Sequence, residues 1–283
     1  MTAKMILRLM VGQLSLRTIA DNRCGLAKLP VISQAMAMSE EVVRARPSLR
    51  RSVELFRGFR REQSDPDFFY RLLADDSVRQ LSGYVNLDGK TVLDVGGGAG
   101  YFADAFRKAG AAYFGIDPDV GELSARGEVD GGMLRASGTA LPIRTGSIDV
   151  CYSSNVLEHV DRPELMLSEM ARVTRPGGIV YVSFTPWLSP WGGHETAPWH
   201  YFGGHYARRR YRRRHGREPK NAYGSTLFSV GAATAIRWAR RFDGVEVVEL
   251  LPRYHPWWAH WVIHVPMARE VLSWNVLLVL RRR

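Results

Sequence analysis

The stretch VLDVGGGAGYF, residues 92–102, joins one apolar run to a second through a glycine-rich turn. Lys90 to Val95 has the length and composition of a short buried strand. Tyr101 to Ala109 has the apolar spacing of a helix. A strand that passes through a glycine turn into a helix is typical of α/β folds that bind nucleotide-like ligands.

Strands and helices continue to alternate along the rest of the chain. Ser64-Asp65-Pro66 predicts the start of a helix that runs to about Leu81. Further strands are predicted at Ala112–Ile116, Met133–Ala136, Ile148–Tyr152, Ile179–Phe184, Val245–Leu251 and Asn275–Leu280, with helices from Asp161-Arg162-Pro163 to Val173 and over Val230–Arg241. This alternation predicts a parallel sheet with helices on both faces.

Residues 186–228 interrupt this pattern. They are rich in Trp, Tyr, His, Gly and Arg and show no strong period. A long segment without regular structure inside a compact domain is usually a lid or a binding insertion. We therefore predict a basic N-terminal extension over 1–60 and one domain over 61–283, in which 186–228 form a substrate lid after the fifth strand.

The charge of the chain is unevenly distributed. Its 39 basic and 28 acidic residues give a net charge of +11, which suggests an anionic partner such as nucleic acid, lipid headgroups or a phosphorylated substrate. Residues 1–60 carry a net +7 and residues 207–220 another +7, so the remainder carries −3. Because the body is mildly acidic, the overall charge does not establish nucleic-acid binding.

The first residues have the pattern of a basic amphipathic helix. Lys4 and Arg8 lie opposite an apolar face, as in helices that rest on anionic membranes. A peripheral helix of the fold, or upstream sequence that precedes a true start at Met36 or Met38, remains an alternative. Arg8 also interrupts the apolar run that a signal peptide needs.

The chain has few features that would place it outside the cytoplasm. Its two cysteines, Cys24 and Cys151, cannot build a disulfide framework, and no stretch approaches 18 uninterrupted apolar residues. We therefore expect a cytoplasmic protein, with peripheral contact to an anionic membrane as a further possibility.

The sequence of the glycine turn distinguishes between three classes of ligand-binding site. A P-loop would need Gly-Lys-Ser/Thr, and a dinucleotide fingerprint would need glycine where Tyr101 stands. The turn instead reads GxGxG and follows Asp94. A carboxylate there would repel a pyrophosphate but could hold an ammonium group, directly or through water. The pattern therefore predicts a cationic, amino-acid-like cofactor.

A second acidic residue, Asp117, ends the strand that follows the glycine turn. A carboxylate in this position accepts hydrogen bonds from both ribose hydroxyls in other nucleotide-binding α/β folds. The two elements together predict a cofactor that combines an amino-acid part with a nucleoside.

Five motifs in order over about 95 residues resemble the class I S-adenosylmethionine-dependent methyltransferases. They are VLDVGGGAGYF (92–102), GIDPD (115–119), ASGTALPI (136–143), SIDVCYSSNVLEHV (147–160) and RPGGIVYVSF (175–184). The whole chain, including SPWGGHE (189–195), KNAYGS (220–225) and PRYHPWW (252–258), is similar to an actinobacterial, notably mycobacterial, group of methyltransferases. The resemblance implies an α/β fold with a Rossmann-like, seven-stranded, mostly parallel sheet, a reversed last strand and S-adenosyl-L-methionine as cofactor.

The resemblance also implies roles for individual positions. The residues expected to bind the cofactor are Asp94, Gly96, Gly98 and Gly100 at the methionine part, Asp117 at the ribose, Ser137 near the adenine and Asn155 at the methyl-transfer cleft. Ser137 stands where the family often has Asp, so its contact to the adenine amine would lack a charge.

A sulfonium methyl group is intrinsically reactive, so the sequence need not contain a catalytic triad or a metal site. No spaced Cys/His set predicts a metal. A base is needed for a weakly acidic hydroxyl or a protonated amine. The candidates lie in a cluster of His194, Glu195, Trp199, His200, Tyr201 and His205. One interpretation makes His194 or His200 the general base; the other is a packed lid with satisfied polar groups.

The acceptor is predicted to be a small or lipid-like molecule, methylated at oxygen. Nucleic acid is disfavoured, because residues 153–156 lack the Asn/Asp-Pro-Pro-aromatic motif of base methylation and Cys151 does not follow a proline. The alternatives are a membrane-surface or regulatory binding protein on this scaffold, or an RNA methyltransferase.

Two surface patterns bear on these alternatives. The arginine run at 208–214 could clamp an anion or form a solvated helix face. Trp257, Trp258 and Trp261 are spaced as core residues rather than as an interfacial belt.

Overall fold

A computed structural model describes residues 46–62, 64–127 and 131–283. The amphipathic pattern around Lys4 and Arg8 therefore lies outside the described residues, as do Met36 and Met38. None of the helices in the described ranges is long and apolar enough to span a bilayer.

The described residues form alternating helices and strands with three-residue-turn (3₁₀) segments between them. The α-helices are α1 (Leu49–Phe59), α2 (Pro66–Leu81), α3 (Ala103–Lys108), α4 (Val120–Leu123), α5 (Pro163–Val173), α6 (Gly204–His215), α7 (Ala232–Arg241) and α8 (Pro266–Val271). The strands are β1 (Thr91–Val95), β2 (Ala112–Asp117), β3 (Met133–Arg135), β4 (Ile148–Ser154), β5 (Thr174–Phe184), β6 (Val245–Pro252) and β7 (Val276–Arg282). The 3₁₀ segments are Leu157–His159, His194–Thr196, Trp199–Phe202 and Trp257–His264.

The seven strands form one sheet in the order β3-β2-β1-β4-β5-β7-β6. Neighbouring strands from β3 to β5 run parallel, whereas β7 runs antiparallel to both β5 and β6. The predicted seven-stranded sheet with a reversed last strand is confirmed. Because β1, β2 and β4 are parallel neighbours, the loops that follow them meet at one edge of the sheet.

Apolar side chains are buried on both faces of the sheet. On one face, Leu93 of β1 packs in a cluster with residues of α5 and α7. On the other face, Val92 packs in a cluster with residues of α1, α2 and α3. Successive side chains of a strand point to opposite faces, which explains why both neighbours in β1 are buried. The predicted helices on both faces are confirmed.

The folded domain begins before residue 61, the boundary predicted from the sequence. Helix α1 lies within the predicted extension, yet its Leu55 is buried against the core. Arg51 of the same helix forms an ion pair with the buried Asp76 of α2, with 2.6 Å between Nε and Oδ1. The high arginine content of this helix suggested an appendage, although its apolar face packs on the domain.

Residues 186–228, which the sequence predicts to be an insertion (called the insertion), contain more regular structure than the sequence suggested. Helix α6 occupies twelve of its residues and carries the arginine run. Its buried residues are Gly204 and Ala207, so it has no apolar stripe for a periodicity argument to detect. Arg208 pairs with Glu218 at 2.8 Å, and Gly216, whose φ is +67°, caps the C-terminal end of the helix.

The expectation that Trp257, Trp258 and Trp261 belong to the core is wrong. Their exposed fractions are 52%, 56% and 56%. The 3₁₀ segment that contains them turns Ala259, Val262 and Ile263 inward, and the tryptophans face outward.

Candidate active site

The glycine turn lies at the carboxyl end of β1 and opens towards free space. Gly98 has a φ of +50°, and a Cβ atom placed on it would have no neighbour within 4 Å. Gly96, at φ +83°, is closed by contrast, because a Cβ there would lie 2.4 Å from Val156. The turn therefore needs glycine for its backbone at both positions, and at Gly98 it presents bare backbone to a ligand.

Asp117 ties the end of β2 to this turn. Its Oδ2 accepts a hydrogen bond from the Gly98 N–H at 3.1 Å, and its Oδ1 accepts one from the Asp119 N–H at 2.9 Å. Burial raises the pKa of Asp117, and the two backbone N–H donors partly oppose this rise. Each carboxylate oxygen keeps a further lone pair, so the side chain can still accept two hydroxyl groups.

Asp94 lies beneath the turn and is buried. The Tyr113 hydroxyl donates a hydrogen bond to its Oδ2 at 2.8 Å. Burial raises the pKa of Asp94 to about 7, although the bond from Tyr113 acts in the opposite direction. A positively charged ligand group near this carboxyl would favour its ionised form.

The remaining positions expected to bind the cofactor follow neighbouring strands. Gly100 completes the turn at φ +72°. Ser137 follows β3, is exposed, and has its Oγ 2.8 Å from that of Thr139. Asn155 follows β4 with a φ of +57°, and its Oδ1 accepts a hydrogen bond from Asn275 at 2.7 Å. The structure thus places these positions along one edge of the sheet.

These features suit a ligand that carries an ammonium group and a ribose. The bare backbone at Gly98 admits close approach, the buried Asp94 can balance a positive charge, and Asp117 can accept a pair of hydroxyl groups. The donor set fits S-adenosylmethionine in the way the sequence motifs imply.

The two candidate base residues lie in different surroundings. His200 is 1% exposed, and its Nε2 is 3.1 Å from the Ser189 carbonyl oxygen within the insertion. The His194 ring lies 5.1 Å from that of His159, which follows β4 at the edge of the sheet. Burial, together with the nearby His159 and His200, lowers the pKa of His194 to about 3, so its ring is neutral near pH 7.

Other members of the predicted cluster are engaged within the insertion. Asn221 donates to both carboxylate oxygens of Glu195 at 3.1 Å. The Trp199 ring lies 3.8 Å from the guanidinium of Arg210, and the His205 ring lies 5.0 Å from that of Tyr223. Tyr201 is exposed.

Two buried charged residues at this edge were not selected by sequence reasoning. Glu158 accepts a hydrogen bond from the Thr185 N–H at 3.0 Å through its Oε1. Arg253 donates to the Ser154 hydroxyl at 2.7 Å and the Ser77 hydroxyl at 2.6 Å. Glu158 stands in the LEHV motif, which gave a signal for it, whereas Arg253 follows β6 and nothing in its local sequence marks it as buried.

Comparison with known proteins agrees with the ligand that the geometry of the site suits. A family model described as a methyltransferase domain matches residues 93–182. An uncharacterized methyltransferase of Mycobacteroides abscessus is 50% identical over 251 residues, covering 84% of this chain and 96% of the relative. Another, from Mycobacterium tuberculosis, is 48% identical over 255 residues, covering 87% and 99%. The chain belongs to this methyltransferase family.

Solved structures show that the methyltransferase has a Rossmann-like fold. An S-adenosylmethionine-dependent methyltransferase from Mesorhizobium loti matches with a TM-score of 0.50 at 19% identity, covering 75% of this chain and 98% of that one. Geranyl diphosphate C-methyltransferase from Streptomyces coelicolor, solved with S-adenosyl-L-homocysteine, matches with a TM-score of 0.51 at 14% identity, covering 78% and 84%. The family membership identifies S-adenosylmethionine as the cofactor.

The first prediction concerns the ribose contact at Asp117. Replacing Asp117 by Ala should weaken binding of S-adenosylhomocysteine roughly 10- to 100-fold, because hydrogen bonds to a charged acceptor contribute about 1.5–3 kcal/mol. Isothermal titration calorimetry measures the change. The matched control is Asp243→Ala, an exposed aspartate that precedes β6 at the opposite edge of the sheet. Equal affinities for the Asp117→Ala variant and the wild type would remove Asp117 from the site.

The second prediction concerns the protonation of Asp94. The pKa of Asp94 in the ligand-free protein is about 7, so below this pH the carboxyl is mostly protonated. It must then lose its proton before it can balance an ammonium group. The dissociation constant of S-adenosylhomocysteine should therefore rise as pH falls, approaching about tenfold per unit below the pKa. Calorimetry between about pH 8 and about pH 5.5 tests this.

The control for this pH dependence is Asp94→Asn, which keeps the shape and a hydrogen-bonding partner for Tyr113 but cannot ionise. Its dissociation constant should be higher than that of the wild type at pH 8 and nearly independent of pH over the same range. A flat profile for the wild type would show that Asp94 does not balance the ligand's charge.

Proposed function

We propose that this methyltransferase transfers the methyl group to a hydroxyl oxygen of a small or lipid-like acceptor. The observation that carries the proposal is the His194 ring, whose Nε2 is buried and has no hydrogen-bond partner among the described residues. A hydroxyl is weakly acidic, so its methylation is helped by a group that interacts with the departing proton. The low pKa makes His194 a weak base, but its neutral ring keeps a lone pair on Nε2 that can accept a hydrogen bond from the hydroxyl and orient its oxygen.

The chemistry needs little else from the chain. When bound, S-adenosylmethionine supplies a methyl group on a positively charged sulfur. The acceptor oxygen gains the methyl group and loses its proton, while the carbon–sulfur bond breaks and leaves its electron pair on sulfur. The protein's part is to align the oxygen and to exclude water.

Among the described residues, cysteine chemistry receives no support. Cys151 lies inside β4 with no exposed surface, and burial raises the pKa of its thiol strongly. A buried thiol of this kind is inert. The same surroundings argue against attack on a cytosine ring and favour an acceptor that is methylated directly.

The insertion suits an acceptor with apolar surface. Trp187, His200 and Tyr223 pack together in its interior, with ring centroids 5.3 Å and 4.9 Å from that of Trp187. Tyr201 and Phe202 remain exposed beside this packed interior. We propose that this aromatic surface contacts the acceptor, that His194 faces its reacting end, and that His200 holds the insertion together.

Labelling identifies the acceptor class and atom. The protein is incubated with S-adenosylmethionine carrying a carbon-13 methyl group and with lipid, small-molecule and RNA fractions of a mycobacterial extract. We expect label in the lipid or small-molecule fraction, with the nuclear magnetic resonance signal of a methoxy carbon. The Asp117→Ala variant should transfer much less, and Asp243→Ala should match the wild type. Label confined to RNA, or present on nitrogen or carbon, would contradict the proposal.

A second candidate function is binding to an anionic membrane surface, supported by the exposed tryptophans. Trp257, Trp258 and Trp261 are each more than half exposed, and the Arg46 guanidinium lies 5.5 Å from the Trp257 ring. Met267 of the neighbouring α8 is 69% exposed. Exposed aromatic residues beside arginine are typical of surfaces that rest at the lipid headgroups.

Vesicle flotation tests the membrane contact. The full chain should float with phosphatidylglycerol vesicles and less with phosphatidylcholine vesicles, and Trp257→Ser with Trp261→Ser should reduce flotation about tenfold or more. The matched control is Leu134→Ser, an exposed apolar residue on the opposite edge strand. Equal flotation of the double variant and the wild type, or no flotation of the wild type, would overturn this function.

A further inference from the structure

Three side chains with metal-binding atoms meet where the insertion contacts the edge of the sheet. Glu158 and His159 belong to the 3₁₀ segment after β4, and His194 begins the first 3₁₀ segment of the insertion. One ligand atom from each of the three lies within 4.8 Å of the others. The sequence shows no sign of this cluster, because His194 is far from the other two along the chain.

The hydrogen bonds of these residues leave one atom of each available. Glu158 uses its Oε1 to accept from Thr185, and its Oε2 is buried without a partner. The His194 Nε2 is likewise buried without a hydrogen-bond partner in the described part of the chain. Buried polar atoms are normally satisfied, so an unpartnered buried atom on each of two residues of this cluster points to a ligand that binds there.

The ring of His159 has the hydrogen-bond arrangement of a metal-binding histidine. Its Nδ1 lies 2.6 Å from the Thr226 carbonyl oxygen, which can accept a hydrogen bond but cannot donate one. The proton is therefore assigned to Nδ1, and Nε2 carries the free lone pair. Histidines that bind metals usually donate their other ring N–H to a carbonyl or carboxylate in this way.

The backbone at this place is also unusual. Among the described residues, Asn155 and His194 are the non-glycine residues with positive φ, at +57° and +47°. Both lie at this edge of the sheet. Such conformations are strained for non-glycine residues and cluster where a site holds a side chain in position.

We propose that Glu158, His159 and His194 bind one divalent transition-metal ion that holds the acceptor oxygen. This inference rests on the proposed methylation of a hydroxyl, because the metal ion would be the group that activates that hydroxyl. Three protein ligands leave coordination positions open, as in metal sites that bind substrate rather than only stabilise structure.

The ligand set selects the kind of ion. Two imidazoles and one carboxylate suit Zn²⁺, Mn²⁺, Fe²⁺ or Co²⁺, whereas Mg²⁺ and Ca²⁺ prefer oxygen ligands. Atoms that share one such ion at about 2.0–2.2 Å lie roughly 3–4 Å apart. The ligand atoms of the cluster lie within 4.8 Å of one another, so shifts of about 1 Å or less would close them on an ion.

A cation at this position would act on both the acceptor and the insertion. A hydroxyl bound to a divalent ion loses its proton to water more readily, so no separate base is required. His194 would then bind the ion instead of accepting a hydrogen bond from the hydroxyl. Because His194 belongs to the insertion and Glu158 to the sheet edge, the ion would also fix the two together.

Metal binding is measured on the full chain without an affinity tag, after treatment with a chelator. Titration with Co²⁺, followed by its visible absorption spectrum and by calorimetry, should show one equivalent bound with nitrogen ligands. Zn²⁺ should displace the Co²⁺, and Mg²⁺ at the same concentration should not. A spectrum that remains that of hydrated Co²⁺ would overturn the proposal without the use of any variant.

Two variants locate the site. His194→Gln and Glu158→Gln should each weaken Co²⁺ binding at least about tenfold. The matched control is His215→Gln, an exposed histidine at the end of α6 in the same insertion, which should bind as the wild type does. Circular dichroism establishes that each variant is folded. Unchanged Co²⁺ affinity in both folded variants would also overturn the proposal.

Measuring cofactor binding and the labelled product distinguishes failure of the metal site from failure of the proposed function. S-adenosylhomocysteine should bind to His194→Gln about as it does to the wild type, because Asp94 and Asp117 are intact. Absence of Co²⁺ binding with intact cofactor binding and methoxy product would refute the metal site alone. Label on nitrogen or carbon would refute the oxygen acceptor whatever the metal result.

Discussion

The Gly98 N–H donates a hydrogen bond to the carboxylate of Asp117, and this contact joins the turn after β1 to the end of β2. It depends on the parallel pairing of β1 with β2, which brings both strand ends to one edge. It also depends on glycine, because the turn passes through positive φ at Gly98. The cofactor contacts inferred for Asp94 and Asp117, and the position of the acceptor relative to them, follow from this arrangement.

Sequence reasoning succeeded where the determining interactions are local. The alternation of strands and helices reflects periodic burial within each element, and the turn at residues 96–100 is encoded by its own glycines. It failed where burial depends on distant partners. Helix α1 looked like a charged appendage because Arg51, which pairs with the buried Asp76, was counted as solvent-exposed charge. The spacing of the tryptophans after β6 predicts burial in the core. They lie instead in a 3₁₀ segment, whose geometry does not follow that spacing.

The candidate site divides in the same way. Asp94 and Asp117 stand in motifs whose spacing already indicates a role. His194 contacts His159, by contrast, although α5, β5 and the first residues of the insertion separate them along the chain. Arg253 illustrates the extreme case, since a buried guanidinium held by serine hydroxyls from α2 and β4 has no local signature. Part of the excess positive charge lies on α1 and α6, where Arg51, Arg208 and Arg212 form ion pairs within the protein.

We infer that one edge of the sheet positions the cofactor between Asp94 and Asp117 and presents its reacting end to the insertion. A crystal structure of the complex with S-adenosylhomocysteine tests this most directly. The account predicts ribose hydroxyls within hydrogen-bond distance of Asp117, the ammonium group near Asp94, and the sulfur facing the space between Asn155 and His194. A ligand bound with its sulfur turned away from the insertion, or with its ribose far from Asp117, would contradict the account.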